Sequence, residues 1–195
     1  MNKIKHLFIL VCLSVLYSAT IIAQNNTLSI PDTLIRKSQT LSLPIYMENT
    51  DDIVAMQFTL EFAEKIQIQK ESVELSERAN GHTITMRKVG KNNKYKLMIV
   101  SAQNTPFKGN KGAILSIPLT VTDDAEDGEK LSILLNEVIL TDGKGNNIVT
   151  KASGGSLTIT YVDLAVTAVR TGITEISPKG KMTVNWTVEN LGTIS

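Results

Sequence analysis

One cysteine, two histidines and one tryptophan stand in a chain of 195 residues. A lone Cys12 closes no intramolecular disulfide, and with His6 and His82 it is a donor short of a four-ligand Cys/His zinc site. Neither sign of charge prevails: 20 Lys and Arg meet 19 Asp and Glu. That balance lacks the basic face that phosphates require and excludes a nucleic-acid binder. Nine aromatic residues leave few rings for a flat sugar platform. No Ser–His or Cys–His pair offers a nucleophile with its base, so an enzyme is the least favoured class.

What is present begins at the N-terminus. Lys3 and Lys5 precede an apolar run over residues 7–17, broken only by Ser14. Small residues follow, with Ala23 before Gln24. This is the layout of a secretory leader at residues 1–23, favoured over an uncleaved anchor because the run barely reaches the length of a span. Bulky Val11 argues against a lipid on Cys12. No membrane span is expected once the leader is removed. Cleavage leaves 172 residues without cysteine, takes the formal charge from +1 to −1 with the loss of Lys3 and Lys5, and keeps His82 alone. Such an exported domain must hold together by core burial, which about 140 residues can supply.

The rest reads as strands. Residues 54–62 alternate, with Met56, Phe58, Leu60 and Phe62 on one side and Ala55, Gln57, Thr59 and Glu61 on the other. Further strands are expected over residues 40–48, 82–88, 94–102, 113–122, 131–140 and 148–160. Turn signals such as Asp127-Gly128 and Asp142-Gly143 lie between them. Some nine short strands with almost no helical periodicity indicate an all-β sandwich or jelly roll. The one helical candidate is a turn over residues 64–76. Pro44 and Pro118 interrupt good strands and should lie where the ladder needs no N–H. Past Tyr161 a second unit starts: residues 163–169 and 181–190 read as two strands, with Met182, Val184, Trp186 and Val188 on one face. Two strands bury such a face poorly.

Several segments support a family name. Leu41-Ser42-Leu43-Pro44-Ile45-Tyr46 resembles the second strand of cohesin domains, and Phe58-Thr59-Leu60-Glu61-Phe62 resembles the end of the next. Gly112-Ala113-Ile114-Leu115-Ser116-Ile117-Pro118-Leu119 and Val138-Ile139-Leu140-Thr141-Asp142-Gly143 resemble later cohesin segments, in order, over about residues 24–161. Residues 162–195, with Val184-Asn185-Trp186-Thr187-Val188, look like the start of a CARDB-type adhesion domain. The resemblance implies a nine-stranded jelly-roll β-sandwich of cohesin type, followed by two strands of an incomplete Ig-like sandwich. It also implies a bacterial protein, secreted or at the cell surface, whose relatives bind dockerin modules in polysaccharide-degrading assemblies. The Asn and Asp common on that family's partner-facing strand are replaced here by Ala55 and Gln57.

Outward positions on the central strands are the natural partner face: Gln57, Thr59, Glu61, Lys96, Met98 and Ser116. Met98 is the apolar exception among them. The alternative is carbohydrate binding, for which Tyr46 and Tyr161 are the rings not in phase with the core. A plain spacer role is the third reading. His82 is expected exposed at a strand end. Two acidic loops, one with Asp123, Asp124, Glu126, Asp127 and Glu129 and one at Asp142, lack the spaced ligands of an EF-hand. They are read as solvated turns, calcium being the one ion they leave open; no other cofactor is expected.

Overall fold

The computed structural model describes residues 24–161, 164–172 and 178–192. The leader read at residues 1–23 lies outside them. Twelve strands build the main unit: β1 Thr27–Ser29, β2 Thr33–Arg36, β3 Leu41–Glu48, β4 Ala55–Phe62, β5 Ile66–Ile68, β6 Glu74–Leu75, β7 Thr83–Lys88, β8 Lys94–Val100, β9 Lys111–Val121, β10 Lys130–Thr141, β11 Lys151–Ser153 and β12 Gly155–Thr160. One sheet runs β11-β1-β3-β9-β5, with β6 also on β9; the other runs β2-β12-β10-β4-β8-β7. The alternation of β4 does what its pattern requires. Met56, Phe58, Leu60 and Phe62 enter one buried cluster with Leu43 and Ile45 of β3, Ile117 of β9 and Ile133 of β10. Each such side chain contributes about 2 kcal/mol by leaving water.

Twelve strands stand where about nine were expected because two long strands are interrupted and the segment read as a helical turn is extended. β1 lies in the first sheet and β2 in the second, with Pro31 in the break; β11 and β12 divide in the same way at Gly154. The two split strands run side by side and parallel, β1 with β11 and β2 with β12, and so close the sandwich along one side. Gly155 makes this crossing possible, since a Cβ there would stand 2.6 Å from the carbonyl oxygens of both Ile30 and Pro31. The helical turn expected over residues 64–76 is corrected. That segment is β5 and β6 around a 3-10 turn at Lys70–Ser72. Its strands lie along β9, where Ile66 is buried and Ile68 and Leu75 pack on the core.

Pro44 and Pro118 sit on interior strands rather than at an edge, at places where no ladder bond is missed. The Pro118 carbonyl accepts from Gln69 N–H, 2.8 Å, so its N faces the gap between β5 and β6. Pro44 lies beyond the end of β1, whose pairing with β3 stops at Ser29 opposite Tyr46.

The tail forms a separate antiparallel pair, β13 Leu164–Thr171 and β14 Val184–Asn190. The register shifts between Val166 and Ala168, one extra residue that returns Val169 to the side of Leu164 and Val166. Val184, Trp186 and Val188 join them, so one side of the hairpin is apolar. Asn185, Thr187 and Glu189 occupy the other. Trp186 is 67% exposed, so among the described residues this apolar face is uncovered.

Candidate functional site

The outer face of the second sheet is organised in rows set by strand register. Ile139, Gln57, Met98 and Thr85 form one row across β10, β4, β8 and β7. Asn136, Thr59, Lys96 and Arg87 form the next, and Leu134, Glu61 and Lys94 the third. Three large apolar side chains in these rows face solvent: Met98 at 43%, Ile139 at 37% and Leu134 at 48% exposure. Between them lie two cross-strand ion pairs, Lys94 with Glu61 at 3.9 Å and Lys96 with Glu137 at 3.6 Å. The ladder therefore presents apolar points separated by paired charges.

Glu137 is held by an uncommon backbone. The register of β10 on β4 shifts between Asn136 and Ile139, and Glu137 takes φ +50°. This extra residue swings its carboxylate over β4, where Thr59 Oγ1 donates to Oε2 at 2.8 Å. That hydrogen bond, and after it the Lys96 ammonium, hold the Glu137 carboxyl below the ordinary carboxylate range.

Five of the six expected partner-face residues, Gln57, Thr59, Glu61, Lys96 and Met98, come together on this surface. Two corrections follow. Thr59 points outward but is only 1% exposed, because Glu137 covers it. Ser116 lies on β9 in the opposite sheet, between Pro44 and Glu74, and takes no part in this face. Sequence reasoning missed Leu134, Glu137, Ile139 and Arg87. Leu134 alone carried a signal, as an apolar residue in phase with Lys130 and Ser132.

The other candidates do not assemble. Tyr46 is exposed on β3 of the first sheet, beside Ser29 and Ala113, whereas Tyr161 follows β12 of the second. The two rings form no common platform. His82 is corrected from exposed to buried at 8% exposure: Gly81 at φ +89° turns the chain so that the imidazole stacks on Phe107, centroids 3.9 Å apart. Both ring nitrogens lack a hydrogen-bond partner and reach no nucleophile. In the acidic loops the carboxylates serve the turns. Glu129 accepts from Lys65 Nζ and from Glu126 N–H, at 2.9 and 2.7 Å. Asp142 accepts from the N–H groups of Lys144 and Asn146, both at 2.9 Å. Among the described residues no group of three or more His, Cys, Asp or Glu is placed to hold a metal ion.

With this geometry in place, the family model for the cohesin domain matches residues 26–160. The chain belongs to the cohesin family. Cohesin domains are non-catalytic docking modules, so this domain is not an enzyme. Solved cohesins share the sandwich. A non-cellulosomal cohesin from Archaeoglobus fulgidus superposes with a TM-score of 0.58 at 15% identity, over 69% of this chain and 91% of its own. The OlpA cohesin of Clostridium thermocellum, solved in a type I cohesin–dockerin complex, gives 0.61 at 14% identity, over 69% and 99%. The type III cohesin of the ScaE cell-surface anchoring scaffoldin of Ruminococcus flavefaciens gives 0.57 at 15% identity, over 73% and 91%. No curated protein sequence matches the chain.

Proposed function

We propose that this cohesin domain docks a dockerin-type protein module on the outer face of β10, β4 and β8. The observation that carries the reading is the exposed apolar set Met98, Ile139 and Leu134, framed by the Glu61–Lys94 and Glu137–Lys96 pairs. A flat, ladder-braced face with apolar anchors and a polar surround loses little order on binding. The apolar centre takes the place of the Asn and Asp that the family commonly uses, with Ala55 and Gln57 at those positions. The setting in this proposal is extracellular, at a bacterial cell surface or in a secreted polysaccharide-degrading assembly. Lys3, Lys5, the apolar run and Ala23 support export through a leader.

In the same reading, residues 162–195 begin a CARDB-type Ig-like domain. Its support is the hairpin's division into one apolar and one polar face, as in half of a β-sandwich. The docking test is calorimetry of the full chain with a calcium-loaded dockerin module. Gln57→Arg with Met98→Arg should abolish binding, while Tyr46→Ser on the opposite sheet should leave it intact. Unchanged affinity of the double variant would place the docking face elsewhere.

A further inference from the structure

Residues 78–122 carry eight Lys and Arg and not one Asp or Glu. Five of the eight, Arg87, Lys88, Lys91, Lys94 and Lys96, fall in the hairpin formed by β7 and β8. Lys94 and Lys96 are engaged by Glu61 and Glu137. Arg87, Lys88 and Lys91 make no ion pair among the described residues. Glu64 lines the same open cleft of about 420 Å³ as Lys88 and Lys91 and forms no ion pair with either. Arg87 lies opposite Lys96 on the docking face, and β7 is the outermost strand of that sheet. Arg87 therefore borders the apolar centre at Met98 on the outer face, while Lys88, in register with Tyr95, and Lys91 in the turn line the cleft at the end of the same hairpin.

We infer that the β7–β8 hairpin is a cationic rim that selects an acidic partner surface, with Arg87 on the docking face as its contact residue and Lys88 and Lys91 at the hairpin's end adding to the field that the partner meets. The inference rests on the docking reading of this face and adds the charge of the occupant. Like charges gathered in one short hairpin repel one another, and an acidic surface laid against them removes that repulsion. Rim charges of this kind act on the rate of encounter and on the choice of partner, while the apolar centre supplies the durable contact. The occupant is thus a folded module with an apolar patch flanked by Asp and Glu. A basic module would meet the hairpin with like charge and be rejected.

The test uses the full chain and two probes: a calcium-loaded dockerin module with a net acidic surface, and the same module with its Asp and Glu outside the calcium loops replaced by Asn and Gln. The acidic probe should bind at least about tenfold more tightly than the neutralised one, and the difference should shrink between about 0.05 and 0.5 M salt. Arg87→Glu with Lys88→Glu and Lys91→Glu should reverse the preference, and the matching Gln variant should remove it; thermal unfolding of both confirms folding. Equal binding of the two probes, lost with Met98→Arg, would overturn the cationic rim and leave docking standing. Binding of neither probe would overturn both. If the Glu variant self-associates while its affinity is unchanged, the cations only guard an edge strand. Retention of polygalacturonate in place of either module would overturn the inference in favour of an acidic glycan.

Discussion

Replacing Arg78 with Ala should cost the sandwich about 3 kcal/mol. The guanidinium follows the Ser76 cap of a 3-10 turn at Glu77–Ala79 and spends every N–H on a neighbouring oxygen. Nε donates to Lys108 O at 2.7 Å. Nη1 donates to Met47 O and Gly112 O at 2.7 and 2.9 Å, and Nη2 to Asn49 Oδ1 and Gly109 O at 2.8 and 3.0 Å. Asn49 passes the tie on through Nδ2 to Asp51 O at 2.8 Å. One side chain thus fastens the end of β3 and the start of β9 to the turn before β7. The bonds to Met47, Gly112 and Asn49 are partly buried and contribute about 1 kcal/mol each, since water replaces them poorly. Those to Lys108 and Gly109 are exposed and contribute little. Burial without a carboxylate partner pulls the guanidinium below its ordinary value, yet it stays charged. The expected loss lowers the thermal midpoint by about 10 °C, read by circular dichroism. Arg78→Lys should recover only a small part, because one ammonium cannot reach five acceptors. A midpoint lowered by less than about 3 °C in Arg78→Ala would refute this reasoning.

Other outcomes follow from the same geometry. His82→Phe should be neutral or stabilising by up to about 1 kcal/mol, because it exchanges a buried, unpaired imidazole on Phe107 for an apolar ring; a large loss in urea unfolding would show that an imidazole nitrogen has a partner. The carboxyls of Asp32, Asp51, Glu129, Glu137 and Asp142 all lie below their ordinary range, each held chiefly by a hydrogen bond, from Ser156, Asn26, the Glu126 N–H, Thr59 and Asn146 respectively. A folded-state value below the unfolded one gives stability that is complete above the ordinary carboxylate pKa of about 4 and is lost as the pH falls through the depressed values. The thermal midpoint should therefore be flat near neutrality and drop on acidification below about pH 5; a rise would contradict the assignments. Trp186 is the only tryptophan, so fluorescence reports the hairpin alone. Red-shifted emission freely quenched by acrylamide is expected, and a shielded signal would mean that the apolar face is covered.

Much of the fold is legible in the chain because local alternation determines it. Residues 54–62 alternate so regularly that β4, its inward Met56, Phe58, Leu60 and Phe62 and its outward Gln57 and Glu61 all follow. The docking face is less legible, for identifiable reasons. Strict alternation from Leu131 and Ile133 places Ile139 inward; the extra residue at Glu137 reverses the phase and turns Ile139 to solvent. A bulge with a non-glycine residue at positive φ has no sequence signature. The burial of Thr59 is set by a side chain 78 positions away, beyond any local pattern. Nothing within β9 says which of two sheets it joins, and so Ser116 is easily placed on the wrong one. His82 beside Gly81 reads as an exposed strand end until the stack on Phe107, far along the chain, is known. Composition does carry one non-local feature: the absence of acid from residues 78–122 is visible by inspection, although its meaning depends on where β7 and β8 lie.

Docking on the outer face of β10, β4 and β8 is tested most directly by methyl NMR of the methionine-labelled full chain titrated with a calcium-loaded dockerin module. Met98 stands on that face, Met47 in the core beneath the opposite sheet, and Met182 beside the tail hairpin. A shift of the Met98 methyl signal that saturates with the module, while Met47 and Met182 hold still, is the predicted result. A saturating interaction that moves Met182 or Met47 and leaves Met98 unmoved would contradict it.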